Sequence, residues 1–192
     1  MTGRNRKILP IIEFIFDLIK IAIIAVLIVW PIHRFIFQPF IVRGVSMEPT
    51  FDYNDYLIVE KITYKSRGFQ RGDIVVFRSP IKPKEYLIKR VIGLPEERIV
   101  IKEGNVYIYN KKYKNGIKLD EKAYLFPTTS TYGKIDIKLK SNEYFLLGDN
   151  RSVSLDSRSF GPIRKSEIIG RVWIRGWPFN KITKFAPPEY NL

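Results

Sequence analysis

Apolar and polar positions divide this chain into two regimes. From Ile8 to Ile32 the run ILPIIEFIFDLIKIAIIAVLIVWPI is apolar apart from Glu13, Asp17 and Lys20. Ile21–Val29 is apolar on every side of a helix, which an amphipathic surface helix never is and a buried core helix seldom is. The uncharged part, Ile21–Ile32, has 12 residues. That is about 18 Å of helix against a hydrocarbon core of about 30 Å. A span starting at Phe14 reaches about 19 residues and is long enough. Asp17 and Lys20 then lie one turn apart and can pair, and the lysine stem can carry its ammonium to the headgroups. The pattern predicts a tail over 1–13 and a transmembrane anchor over 14–32. A cleavable leader would need small residues after the apolar run, and Trp30-Pro31-Ile32-His33-Arg34-Phe35 offers none.

Beyond residue 32 the helical period gives way to short runs. Tyr56–Ile62, Asp73–Phe77, Tyr86–Leu94 and Ile168–Trp177 are rich in Ile, Val, Tyr and Phe and are bounded by Gly, Pro or Asp, so they read as strands. Arg98–Lys102 and Val106–Asn110, joined by Glu103-Gly104-Asn105, predict a hairpin. Residues 111–140 are polar, rich in lysine and turn formers, and carry no clear period. The predicted class is mainly β: a transmembrane helix, then an antiparallel β-sheet domain with its core in 33–96 and 141–192 and a smaller β insertion over 97–140. The segment FIFQPFIV (35–42) fits a buried first strand and a lip resting in the bilayer interface equally well.

The formal charge of +14 brings nucleic acid to mind, but the basic residues are scattered and form no arm. They read as a solvated face that also suits anionic headgroups, so the expected partner is a lipid bilayer and not nucleic acid. Arg4, Arg6 and Lys7 precede the apolar run, placing the N-terminus in the cytoplasm and the β domain outside the cell membrane. There is no cysteine and one histidine, His33. Disulfides and thiolate metal sites are excluded, and almost no capacity for zinc remains. No cofactor is expected.

Three islands carry candidate chemistry. In Arg43-Gly44-Val45-Ser46-Met47-Glu48-Pro49-Thr50 a serine sits in a constrained, turn-prone backbone, as an exposed nucleophile with free N–H groups requires. Gly, Ser and Pro also cluster in ordinary turns. In Tyr86–Pro95 a strand puts Leu87, Lys89 and Val91 on one face. An ammonium among apolar neighbours loses its proton more easily and becomes available as a base, whereas a lysine on an edge strand would simply reach solvent. In Gly148–Arg158 the crowding of small polar and charged residues after a strand predicts a hydrogen-bonded loop. A histidine base would have to be His33, 13 residues before Ser46 at the expected membrane edge.

Taken together the islands resemble type I signal peptidases. The resemblance is carried by Gly44–Thr50, by Gly72-Asp73-Ile74-Val75-Val76-Phe77, by Lys89-Arg90-Val91-Ile92-Gly93-Leu94-Pro95 and by Gly148–Arg158, in that order. It implies Ser46 as nucleophile, Lys89 as general base, Ser154 orienting the lysine, and Asp156 with Arg158 bracing the loop. It also implies secretory preproteins with Ala-X-Ala-type signal peptides as substrates, with Val42, Met47 and Ile88 as candidate contacts. Two departures stand out. Gly44 replaces a serine that in many members completes the oxyanion hole, and Glu96-Glu97 replaces Gly-Asp after Leu94-Pro95. A self-cleaving repressor of the LexA type also uses serine and lysine, but would need a DNA-binding domain where this chain has its apolar run. From another class, a non-catalytic basic membrane protein that binds lipid or nucleic acid would share the charge and the apolar run; retained proteolysis by the solubilised protein separates the two.

Overall fold

The computed structural model describes residues 9–31 and 35–192. The chain divides between Phe37 and Gln38 into two compact units. In the first, helix α1 covers Leu9–Pro31. Glu13, Asp17 and Lys20 occupy its first half, and Lys20 Nζ donates to Asp17 Oδ1 at 3.1 Å. From Ile21 to Trp30 it is uncharged, and successive large side chains such as Val26, Leu27, Ile28 and Val29 are exposed. Among the described residues no helix is long and apolar enough to cross a membrane. The span expected over 14–32 is therefore found as a helix with charges in its first half. Its last residue, Ile32, lies outside the described residues, as do His33, Arg34 and the basic group Arg4, Arg6 and Lys7.

The second unit is mainly antiparallel β. Strands β1 (Phe37–Ile41), β2 (Tyr56–Glu60), β3 (Ile74–Arg78), β4 (Tyr86–Gly93), β9 (Glu143–Leu147), β10 (Ile163–Arg164) and β11 (Ile168–Trp177) form one sheet in the order β1-β2-β11-β3-β4-β9-β10, with β12 (Thr183–Lys184) paired to β11. Two short helices, α2 (Thr63–Arg67) and α3 (Ser157–Phe160), flank it. Strand β3 is buried on both faces, which is why its sequence is a continuous apolar run. Ile74 and Val76 pack with Val42, Met47 and Phe51, while Val75 and Phe77 pack with Val91 and Leu146. Val42, the residue after β1, is buried, whereas Phe35 and Ile41 stay exposed.

The smaller sheet has the order β7-β6-β5-β8, from β5 (Arg98–Lys102), β6 (Asn105–Tyr109), β7 (Ile117–Lys118) and β8 (Ile135–Lys138). Lys102 pairs with Asn105, so the hairpin turn is two residues, Glu103 and Gly104, both at positive φ. That conformation matches the twist of the strands it joins. Ile99, Ile101, Val106 and Ile108 face Ile92, Phe145 and Leu147, so the two sheets share a core at the β4–β9 end.

Candidate active site

Ser46 lies in the loop between β1 and β2. Gly44 enters this turn at φ 113°, a region that side chains avoid, although a Cβ there would meet nothing within 4 Å. Met47 and Phe51 are sunk in the core on the far side of the turn, and Phe51 N–H donates to the Met47 carbonyl at 3.0 Å. With its neighbour pinned below, Ser46 is left half-exposed. Its N–H makes no backbone hydrogen bond among the described residues and is free to meet an oxyanion. No side chain at position 44 adds a second donor.

Lys89 stands on β4 just before β9 begins to pair with that strand at Arg90. Its Nζ lies 2.7 Å from Ser46 Oγ and donates to the Ile88 carbonyl at 2.8 Å. The side chain is buried, and loss of hydration lowers its pKa from 10.5 to about 8, with Asp156 and Asp149 pulling the other way. A neutral amine in contact with a half-exposed hydroxyl can take its proton.

The loop after β9 covers this pair. Asn150 N–H donates to the Ser46 carbonyl at 3.1 Å, fixing the loop to the serine turn. A side chain at Gly148 would run into Ser154 and that same carbonyl, so only glycine fits. Asp156 is fully buried. It accepts from Gly148 N–H at 3.1 Å and binds Arg158 through Nε and Nη2, both at 2.8 Å. Ser154 differs from expectation: its Oγ is buried and has no hydrogen-bond partner, and the Ile88 carbonyl takes the place beside Lys89.

An apolar cavity of about 250 Å³ opens on Ser46 and Lys89, between the end of β1 and the start of β4. Val42 and Ile88, two of the three candidate contacts, line it. Met47 does not, because the turn directs it into the core. Phe40 and Tyr86 meet edge-on across one end, with ring centroids 5.5 Å apart.

One network escaped the sequence reading. Arg90, on the opposite face of β4 from Lys89, donates to both oxygens of Asp149, at 2.8 and 2.7 Å, and to Thr50 Oγ1 at 3.2 Å. Thr50 Oγ1 in turn donates to Asp149 at 2.5 Å, and Tyr124 covers the guanidinium at 3.9 Å. Serine turn, β4 and covering loop are thus tied through one buried cation. The strand period of two, which puts position 90 opposite position 89, was the signal that could have found it.

Residues 15–177 match the family model described as signal peptidase, peptidase S26. A probable signal peptidase I-2 of Synechocystis sp. is 37% identical over 171 residues, 86% of this chain and 75% of that protein. Signal peptidase IB of Staphylococcus aureus is 36% identical over 187 residues, 92% of this chain and 96% of that protein. A solved signal peptidase I from Enterococcus faecalis V583 is 30% identical and covers 54% of this chain and 95% of its own, with a TM-score of 0.44. On the family match and the extent of these relatives, the chain belongs to the signal peptidase family S26, a family of serine endopeptidases.

Proposed function

We propose that this protein is a membrane-bound endopeptidase that removes signal peptides from secreted preproteins, with Ser46 as nucleophile and Lys89 as general base. The observation that carries the reading is the 2.7 Å approach of Lys89 Nζ to Ser46 Oγ by an amine that titrates near 8. Lys89 takes the hydroxyl proton as Ser46 Oγ attacks the scissile carbonyl, and the Ser46 N–H stabilises the oxyanion. The resulting ammonium returns the proton to the departing amine, releasing the mature chain and leaving the signal peptide as an ester on Ser46. Water, deprotonated by Lys89, hydrolyses the ester. Asp156 and Arg158 hold the covering loop that keeps the amine dry.

The small apolar cavity beside Val42 and Ile88 suits alanine before the cut, in keeping with Ala-X-Ala substrates. Membrane attachment falls to α1. Its uncharged Ile21–Trp30 stretch is exposed throughout, too much apolar surface to leave in water. The Asp17–Lys20 pair cancels charge within one turn and sits where the lysine stem reaches headgroups. The basic residues before the helix put the N-terminus in the cytoplasm and the catalytic unit outside.

The test is a pH–rate series on an uncharged peptide spanning an Ala-X-Ala cut, with Ser46→Ala as the blank. About a tenth of Lys89 is neutral at pH 7, so kcat/KM rises about tenfold to a plateau through one ionisation near 8. A rate flat from pH 6 to 9, or an active Ser46→Ala, overturns the lysine-base mechanism.

A further inference from the structure

A peptide cut at Ser46 has two sides, and the apolar cavity, built from residues 40–43 and 86–89, serves one of them. A second cleft, of about 300 Å³, begins where the serine turn ends. Glu48 and Pro49 form one wall, and Asn150 and Ser152 of the covering loop form its floor. The other wall is the 126–132 segment of the smaller sheet's long loop, whose Phe126 and Tyr132 are exposed at the rim.

This cleft is fixed in place. Arg151 binds Thr131 Oγ1, Arg158 Nη1 donates to the Tyr132 carbonyl at 3.3 Å, and Thr131 N–H donates to the Gly104 carbonyl at 2.8 Å. Its floor is joined to the nucleophile through Asn150 N–H and the Ser46 carbonyl. The other charges in its wall are paired: Asp149 with Arg90, and Arg151 with Glu121. Glu48 is half-buried and makes no ion pair or side-chain hydrogen bond among the described residues.

We propose that this cleft receives the first residues of the mature chain, and that Glu48 favours a lysine or arginine there over an acidic residue. The inference rests on the signal-peptide reading of Ser46 and extends it to the other half of the substrate. The sign is diagnostic. A chain of net charge +14 would by itself draw acidic residues, so a preference for a cation must come from a local carboxylate.

Three peptides with one Ala-X-Ala signal half, differing only in Lys, Gln or Glu two positions after the cut, separate the cases. They are assayed at fixed pH and low salt with the full chain in detergent. The lysine peptide is cut about threefold faster in kcat/KM than the glutamate peptide, with glutamine between them, the size expected of one partly screened ion pair. High salt narrows the ratio. Glu48→Gln brings it to one or below, and Glu48→Lys inverts it. Equal cleavage of all three by the wild type, or a ratio that survives Glu48→Gln, overturns the assignment while leaving the dyad intact. Failure of the wild type to cut any of them overturns the processing reading, and this one with it.

Discussion

At the scale of single residues, Lys89 is the costly side chain. The unfolded lysine keeps its proton up to about 10.5, whereas the folded one gives it up near 8. Below pH 8 the folded state therefore carries a penalty of about 3 kcal/mol. The penalty shrinks as pH rises from 8 to 10.5 and is gone above that. Methionine fills nearly the same volume without charge, but leaves the Ile88 carbonyl without its donor, at about 1–2 kcal/mol. Lys89→Met is thus expected to lose all cleavage yet melt at or above the wild-type temperature at pH 7, by the equivalent of about 1 kcal/mol. At pH 10 the order reverses. Thermal melts of both proteins in one detergent at the two pH values check this. A variant much less stable at pH 7 would mean that the amine is not buried at a cost.

At the scale of elements, the two neighbours on β4 divide the labour. Lys89 meets the serine, and Arg90 bolts the serine turn and the covering loop to the strand. Arg90 and Asp149 are both buried. Removing the carboxylate leaves an uncompensated buried cation, so Asp149→Ala is expected to destabilise the domain by about 3–5 kcal/mol. A denaturant titration in detergent measures it, and a loss below 1 kcal/mol would show that water reaches Arg90. What was legible in the sequence follows the same division. Strands β2, β3, β4 and β11 announce themselves because β-branched runs end at Gly, Pro or Asp, a local signal. The candidates Ser46 and Lys89 stand out through the residues around them, and the fold brings them within 2.7 Å. Residues 111–140 were not, because their order comes from distant partners: Glu121 on Arg151, Asp120 N–H on Asn191, and Tyr124 over Arg90. The inward turn of Met47 is not legible, because the direction of a side chain leaving a turn depends on the core beneath it. Nor is the acceptor beside Lys89, a backbone carbonyl that no side-chain pattern reveals.

At the scale of the whole molecule, a site that cuts peptides near a bilayer gains from being tethered to it. Confinement to one surface turns a search through solution into a local encounter and raises the effective concentration of substrate. The tether proposed here is α1, and its direction decides which substrates the site can meet. Three basic residues within the first seven favour retention of that end in the cytoplasm, since translocating cations against the membrane potential is opposed. The charges at Asp17 and Lys20 do not upset this preference, because they pair with each other at 3.1 Å. In the proposed orientation everything from β1 onward faces outward, where signal peptides would emerge. Protease added to intact spheroplasts is accordingly expected to digest epitopes beyond residue 42 while sparing a tag placed ahead of residue 1. Changing Arg4, Arg6 and Lys7 together to glutamine should weaken that bias and yield a protected fraction. Complete protection of the wild-type β domain, with digestion only after lysis, would mean that the helix runs the other way or does not enter the bilayer, and that the catalytic unit faces the cytoplasm.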